Sequence, residues 1–319
     1  MKNDFQNIKS VHFAFASDRN VRYKGSSGGA GTAIINYLFD SNKIQSAVTL
    51  QYSNNLQKYE PKIVYNKFDY IQSGSVYHDI NIPKYISDNI FKIKGCIAVF
   101  CPPCFVNVIR SILKREEIES IIISFACSGQ TNIEGTYFYY KCLGINKEDI
   151  NKLQYRGNGF PSGIQITLKD RTLVYHENYT YPWDIIQQSH LFRPKRCFFC
   201  KEVVSEKSDF NIADPWNTEY VTDKDGYTLL TINTDYAKEL FNKMKKNYIQ
   251  SIETNIDVLY KSQFHTFRQK EKVNKNLNFL KKEYKICSSI IYKKIVLSNF
   301  LFLRLHNRIL AYLSFRLMK

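Results

Sequence analysis

The sequence predicts an α/β protein in which helices flank a mixed sheet, with an antiparallel insertion and a helical basic C-terminal tail. Three patterns in its 319 residues favour this fold class. Short apolar runs typical of buried strands occur in the first half of the chain. Residues 155–173 look like paired strands around a glycine-rich loop. From about residue 235 the chain is rich in Lys, Asn, Leu and Ile and poor in Gly and Pro, which favours helices.

The first fifty residues predict a βαβ-like opening. Residues 11–16 are an apolar strand, residues 33–39 have helical periodicity, and residues 47–50 resemble the next strand. The turn between the first strand and the helix, Ser26–Thr32, is rich in Ser and Gly. Backbone N–H groups and hydroxyls at a helix N-terminus form an environment that binds phosphate. The turn matches neither the Walker lysine pattern nor the strict dinucleotide fingerprint, so an ordinary tight turn remains the alternative.

Two later apolar runs each lead to a cysteine within a few residues. Residues 97–100 precede Cys104, and residues 121–125 precede Cys127. Both runs are typical of buried strands in a mixed or parallel sheet. Open α/β sheets place their sites at the carboxyl ends of strands, so both cysteines are candidate ligands.

A Cys-x-x-Cys pair, Cys197 and Cys200, completes a set of four thiols. Ligation by thiolates alone selects zinc or an iron–sulfur cluster. The N-terminal residues are polar and contain no apolar stretch of the signal-peptide kind, so we expect a reducing, cytoplasmic compartment. Cysteines there are ligands or buried thiols more often than disulfides. We expect the remaining cysteines to be free thiols: Cys96, Cys101, Cys142 and Cys287.

The chain carries 45 Lys and Arg against 29 Asp and Glu, a net charge of +16. A basic surface suits nucleic acid, anionic lipid or phosphorylated substrates, and a solvated Lys-rich surface is the equal alternative. No run reaches the roughly 18 apolar residues of a membrane-spanning helix. The histidines lack the paired spacing of zinc proteases, and no nucleophile elbow is present, which disfavours those hydrolases.

The last helix predicted in the chain is amphipathic. Residues 286–319 have Arg304, Arg308, Tyr312 and Arg316 at i+4 spacing. Apolar residues occupy the other side: Leu301, Phe302, Leu305, Ile309 and Leu313. Such a helix lies on an anionic membrane surface or docks a partner. Alternatively, its apolar side packs on the protein's own core.

Six short motifs follow one another over roughly residues 11–220. They are Arg22–Thr32, Ser73–Tyr77, Cys101–Cys104, Cys127–Gly129, Tyr155–Gly163, and Arg193–Cys200 with the nearby Ala213–Trp216. In this order they resemble the motifs of the coenzyme F-420 hydrogenase/dehydrogenase beta-subunit family, in a short bacterial form without the N-terminal ferredoxin module. Two positions depart from the family pattern. Val76 stands where the family has Lys, and Phe105 stands where it has Gln.

The resemblance implies cofactors and site residues. It implies a 4Fe-4S cluster held by Cys104, Cys127, Cys197 and Cys200. It implies a flavin, FAD or FMN, beside these residues: Ser26, Ser27, Gly28, Gly29, Thr32, Gly74, Ser75 and Tyr77. Arg156, in the glycine loop, is expected to face the flavin or the substrate as a catalytic residue, with an ordinary surface arginine as the alternative. Residues 1–235 would then be the flavin and iron–sulfur binding core, and residues 236–319 the helical basic region.

The resemblance also implies an oxidoreductase that passes electrons between a ferredoxin-like donor, the cluster, the flavin and a small organic substrate. Short bacterial relatives resemble proteins from surface-polysaccharide loci, so a sugar-linked substrate is expected. Two alternatives stay open: a non-catalytic electron-transfer subunit, and a zinc-stapled binding module with a basic face. We expect a cytoplasmic protein without a nucleic-acid partner, with the tail as a candidate contact to the inner face of the membrane.

Overall fold

The structure is a computed structural model that describes Phe5 and residues 7–316, with the backbone alone at residues 272, 274 and 314–316. Its described residues form an eight-stranded sheet, a separate three-stranded sheet and helices around both. The strands of the larger sheet are β1 Ser10–Ala16, β2 Ser46–Ser53, β3 Lys58–Val64, β4 Ile97–Cys101, β5 Ser120–Phe125, β9 Phe210–Ala213, β10 Thr228–Ile232 and β11 Ile249–Thr254. The smaller sheet contains β6 Ile150–Gln154, β7 Gly163–Leu168 and β8 Leu173–Glu177.

The larger sheet has the strand order β11-β1-β10-β9-β5-β4-β2-β3. Strands β9, β5, β4 and β2 are parallel neighbours, and the strands on either side of this group pair antiparallel. The mixed α/β architecture and the antiparallel insertion predicted from the sequence are confirmed.

Helices cover both faces of this sheet. The helices before β9 are α1 Arg19–Lys24, α2 Ala30–Asp40, α3 Ile82–Asp88, α4 Val106–Arg115, α5 Ile133–Cys142, α6 Trp183–Gln188 and α7 Lys195–Phe198. Those after β10 are α8 Asp235–Met244, α9 Ile256–Ser262, α10 Phe264–Lys275, α11 Leu277–Ser288, α12 Ile290–Ser298 and α13 Phe300–Arg316. Helices α2 and α8 pack on one face with Ala98 and Ile121, whereas α3 and α4 pack on the other with Val99 and Ile122. Because neighbouring residues of β4 and β5 enter opposite cores, both strands need continuous apolar sequence.

The smaller sheet belongs to a second apolar core. Strands β6, β7 and β8 pair antiparallel in that order. Trp183 of α6 and Tyr139 of α5 are fully buried against this sheet, together with Tyr155 at the end of β6. Residues 156–162, the glycine loop, connect β6 to β7 and so link this core to the edge of the larger sheet.

The start of the chain differs from the predicted opening. An additional short helix, α1, precedes the glycine turn, and β1 pairs antiparallel with β10 and β11. Strand β2 lies on the far side of β4, so β1 and β2 are not neighbours. Strand β11, which follows residue 235 in the chain, belongs to the larger sheet. The domain boundary expected at residue 235 stays a prediction.

The C-terminal helices expose much of their apolar surface. In α13, Leu303 and His306 are buried against the α6 region, where His306 Nε2 lies 2.7 Å from the carbonyl oxygen of Ser189. Eight aliphatic and aromatic side chains of α12 and α13 are between 48% and 73% exposed: Ile290, Ile291, Ile295, Leu301, Phe302, Leu305, Ile309 and Tyr312. The side chain of Arg316 lies outside the described residues. Within the described part of the chain, none of the helices has the length and apolar character needed to cross a membrane.

Candidate functional site

Two of the four predicted cysteine ligands lie at the ends of adjacent parallel strands. Cys104 follows β4 in a short 3-10 turn, and Cys127 follows β5 by two residues. The strands pair in register, with Phe100 opposite Ile123, so both chains leave the sheet at the same edge. Cys127 N donates to the carbonyl oxygen of Val203 at 3.0 Å, which brings the segment after α7 to this edge.

The other two cysteines lie on and just after α7. Cys197 is buried in this helix, and Cys200 follows it. Arg196 fixes the helix, since its Nη1 donates to Asp79 Oδ2 at 2.7 Å and its Nη2 donates to Gln130 Oε1 at 3.0 Å. The same guanidinium lies 4.8 Å from the ring centroid of Phe105, a cation–π contact at the position where the family has Gln.

The thiols of this set influence one another electrostatically. The Cys104 thiol hydrogen-bonds to Cys200 and lowers the pKa of Cys200 to about 6, against the opposing effect of burial. The same contact, together with burial, raises the pKa of Cys104 well above its usual range. Burial raises the pKa of Cys127 to about 11, while the nearby Lys270 opposes that shift. Contact between the two thiols therefore favours one thiolate and one thiol in this pair.

Zinc and an iron–sulfur cluster both remain open for these four thiols. Among the described residues, no three His, Cys, Asp or Glu side chains converge closely enough to hold a single metal ion. Tetrahedral zinc needs four sulfurs at about 2.3 Å from one atom. A four-iron cluster spreads its thiolates around a larger body, so more widely spaced sulfurs suit it. The chemistry of four thiols with nearby cations is compatible with an iron–sulfur cluster, and the presence of one stays a prediction.

An open cleft of about 870 Å³ adjoins the cysteines. Cys104 and Cys200 line it, and so do the charged residues Arg196, Lys201 and Lys270. None of the eight residues predicted to contact the flavin lines this cleft. The cleft therefore gives solvent access to Cys104 and Cys200, and we call this face of the molecule the sulfur side.

The two loops predicted to bind a flavin lie in direct contact. Ser75 N donates to Ser26 Oγ at 2.6 Å. Gly74 has a φ of 67°, and a Cβ there would collide with the carbonyl oxygen of Arg156. Thr228 Oγ1 donates to the carbonyl oxygen of Ser27, and Asn178 Nδ2 donates to the hydroxyl of Tyr77 at 3.2 Å. The two serine- and glycine-rich loops thus form one packed unit.

The N-terminus of α2 is suited to an anion. Gly29 is its N-cap with a φ of 69°, and no side chain caps the helix. A Cβ at Gly29 would collide with the carbonyl oxygen of Val21, so only glycine fits this turn. Thr32 lies in the first turn and is half-buried. Uncapped N–H groups at a helix N-terminus stabilise phosphate, and binding of a flavin here stays a prediction.

Arg156 is buried, with 3% of its surface exposed. Its Nη1 donates to Asp214 Oδ2 at 2.7 Å, and its Nη2 donates to the carbonyl oxygen of Ser26 at 2.7 Å. Its Nε donates to the carbonyl oxygen of Pro161 at 3.3 Å. The guanidinium therefore joins the glycine loop, the Ser26 turn and the end of β9. Direct contact of Arg156 with substrate or flavin stays a prediction.

Sequence reasoning missed the partners of these arginines. Asp214 lies inside the Ala213–Trp216 motif, which assigns it no role, and Asp79 lies outside all of the motifs. For Asp214 a signal was available, since it is the first residue after β9 and so lies at the carboxyl edge of the parallel strands. For Asp79 no local signal exists, because its contact with Arg196 joins residues 117 positions apart.

Comparison with known proteins identifies the class of this chain. The model for the N-terminal region of the coenzyme F420 hydrogenase/dehydrogenase beta subunit matches residues 11–86, and the model for its C-terminal region matches residues 95–256. The chain therefore belongs to the coenzyme F420 hydrogenase/dehydrogenase beta-subunit family, whose members are oxidoreductase subunits.

Two relatives illustrate the similarity. The chain is 23% identical over 255 residues to the beta subunit of F420-dependent formate dehydrogenase 1 from Methanococcus maripaludis, covering 74% of this chain and 59% of that protein. The chain thus spans less than two thirds of this curated relative. A chain of the F420-reducing [NiFe] hydrogenase complex from Methanosarcina barkeri, solved after xenon derivatization, shares the fold with a TM-score of 0.62 and 12% identity. The likeness covers 84% of this chain and 91% of that one.

Proposed function

We propose that the chain is an iron–sulfur flavoprotein oxidoreductase that passes electrons between a 4Fe-4S cluster, a flavin and a small organic substrate. One observation carries the proposal. Cys104 and Cys127 follow two adjacent parallel strands, Cys104 and Cys200 line one cleft, and Asp214 at the same edge of the sheet anchors Arg156, which also binds the Ser26 loop. A one-electron site beside a two-electron site is what electron transfer to an organic molecule requires.

The cysteines would hold the cluster, which supplies one-electron transfer. Cys104 and Cys127 are fixed by the ends of β4 and β5, while Cys197 and Cys200 are fixed by α7. Arg196 orients α7 through its ion pair with Asp79 and adds positive charge near the thiolates. Cationic surroundings and burial tune the redox potential of such a site.

The flavin, FAD or FMN, would bind along Ser26–Gly29 and Gly74–Ser75, with its phosphate at the N-terminus of α2. Helix N–H groups stabilise the phosphate without a basic side chain, which suits a chain that has Val76 where the family has Lys. Arg156 is held by Asp214 and binds the carbonyl oxygen of Ser26, while Ser75 N binds Ser26 Oγ, so the three segments are linked.

We propose only the chemical class of the electron donor and of the substrate. A ferredoxin-like protein is a suitable one-electron donor, since the cleft beside Cys104 and Cys200 gives access to the sulfur side. A small organic, sugar-linked substrate of polysaccharide biosynthesis is our proposal for the acceptor. A non-catalytic electron-transfer subunit is the second candidate, because both named relatives are parts of a dehydrogenase or hydrogenase.

We place the protein in the cytoplasm, peripheral at the inner face of the membrane. The exposed apolar side chains of α12 and α13 support this location, together with basic residues such as Arg304 and Arg308. No acidic residue occurs after Glu283. Anionic lipid attracts such a segment by about 1 kcal/mol per nearby basic residue.

Anaerobic purification tests the main proposal. We expect a yellow-brown protein with flavin peaks over a broad iron–sulfur absorbance and about four irons per chain. Cys200→Ser should lose most of that iron, whereas Cys287→Ser, a buried thiol on α11, should keep it. A colourless protein containing zinc would support the zinc-stapled module and overturn the proposal. Cluster without flavin would favour the non-catalytic subunit.

A further inference from the structure

A lysine outside the matched family regions is buried beside the cysteines. Lys270 lies on α10, beyond residue 256 where the family match ends, and only 5% of its surface is exposed. Helix α10 is firmly placed, because Phe267 is buried in the core formed with Leu229 and Val203. Just before the helix, Gln263 Nε2 donates to the carbonyl oxygen of Asp214 at 2.8 Å. The position of Lys270 is therefore set by packing.

The ammonium of Lys270 is directed to the sulfur side of the molecule. Lys270 lines the cleft together with Cys104 and Cys200. It therefore faces the same cleft as the cysteine that follows β4 and the cysteine that follows α7.

Lys270 is not paired with a carboxylate within the described part of the chain, although Glu202 and Glu271 line the same cleft. None of the described residues forms a hydrogen bond or an ion pair with its side chain. Arg196, another cation near these thiols, differs in this respect because it is paired with Asp79. A buried cation without a partner is costly unless a negative charge lies close to it. Four thiolates around a cluster would supply that negative charge.

We propose that Lys270 is a positioned cation that stabilises the reduced, more negative form of the cluster and so raises its midpoint potential. This inference rests on the proposed function. When the cluster takes up one electron from a reductant, its net charge becomes more negative by one, and no proton is required. A fixed positive charge nearby stabilises that product more than the oxidised form. Because α10 lies outside the matched regions, this charge comes from the C-terminal part of the chain.

Potentiometric titration of the full chain tests the inference. The cluster of anaerobically purified protein is reduced stepwise with dithionite, and the reduced form is followed by electron paramagnetic resonance. At the midpoint potential of the parent, we expect Lys270→Met to show a reduced-to-oxidised ratio lower by about tenfold. For one electron this corresponds to a downward shift of about 59 mV. Lys270→Arg should restore the parent midpoint potential.

The matched control is Lys201→Met. Lys201 lines the same cleft but is solvent-exposed, so solvent screens its charge and its removal should shift the midpoint much less. A Lys270→Met protein that keeps its cluster and titrates at the parent potential would overturn the inference.

Iron content separates the remaining outcomes. If Lys270→Met and Lys270→Gln both lose iron while Lys270→Arg retains it, a cation at this position is needed to hold the cluster, which supports the inference. If Lys270→Arg loses iron as well, the side chain acts by its shape, and the inference is wrong. Absence of any cluster from the parent protein would instead refute the proposed function.

Discussion

Arg156 and Asp214 form a bidentate ion pair in which Nη1 lies 2.7 Å from Oδ2 and Nη2 lies 3.2 Å from Oδ1. Arg156 begins the glycine loop of the smaller sheet, and Asp214 follows β9 of the larger one. The pair therefore connects the two sheets at the place where the Ser26 and Gly74 loops meet. Asp214 raises the pKa of Arg156 and so keeps the buried guanidinium charged.

Breaking this pair should destabilise the protein strongly. Arg156→Ala leaves the Asp214 carboxylate without its buried partner, and we expect the free energy of unfolding to fall by about 3–5 kcal/mol. Urea denaturation measures the change. Arg115→Ala is the matched control, because Arg115 pairs with Glu116 on the surface and should cost about 0–1 kcal/mol. Equal, small losses in both variants would show that the Arg156 pair contributes little.

Substitutions at Gly29 and Gly144 separate two costs of replacing a glycine, which are backbone strain and collision of the new Cβ. Both have a φ of 69°, but a Cβ on Gly144 meets nothing within 4 Å. Gly144→Ala should therefore cost only the strain of the left-handed conformation, about 1–2 kcal/mol. Gly29→Ala adds a collision with the carbonyl oxygen of Val21, so its free energy of unfolding should fall further, and any bound flavin should be lost. Equal losses would mean that the turn before α2 can relax.

Buried histidines should make the fold sensitive to acid. Burial lowers the pKa values of His12, His78 and His190 to about 4. Between pH 6.5 and 4 the unfolded chain binds protons that the folded chain does not. Stability is therefore full above pH 6.5 and falls as the pH drops towards 4, by up to about 1.4 kcal/mol per pH unit for each histidine.

His12→Phe should remove one of the histidines that bind a proton in the unfolded chain but not in the folded chain. His12 packs against Phe241 in the core, so phenylalanine keeps that ring contact, although it loses the hydrogen bond between His12 Nε2 and Ser10 Oγ. We expect the pH dependence of the free energy of unfolding between pH 6.5 and 4 to become shallower by about one proton. His265→Phe, at an exposed position on α10, serves as the comparison. An unchanged slope in His12→Phe would show that His12 is protonated in the native state.

The exposed apolar side of α13 gives a prediction for membrane attachment. Leu305→Glu together with Ile309→Glu changes exposed side chains without touching the buried Leu303 and His306. We expect this variant to lose co-sedimentation with anionic liposomes at low salt, since it removes apolar contact and adds negative charge. Phe68→Glu, an 88% exposed position elsewhere, should still sediment like the parent. Failure of the parent itself to sediment would exclude the membrane.

Local patterns predicted part of this fold and could not predict the rest. The runs before Cys104 and Cys127 were assigned correctly as buried strands, because continuous apolar residues require burial on both faces. The antiparallel pairing of β1 with β10 and β11 could not be predicted, since an apolar run does not specify its neighbour. The burial of Lys270 was equally inaccessible, because it depends on how α10 docks rather than on the sequence around it.

The placement of the four cysteines has a consequence for how firmly the two apolar cores are held together. Cys104 and Cys127 leave the larger sheet, whereas α7 carries Cys197 next to Phe198, which is buried in the second core. A metal–sulfur body bound to all four would be a covalent cross-link between two separately packed cores. Such a link restricts the unfolded chain much as a disulfide does, so loading would add to stability as well as to redox chemistry. Removal of iron should then loosen α7 relative to β4 and β5, with faster hydrogen exchange on both sides of the link and little change inside either core.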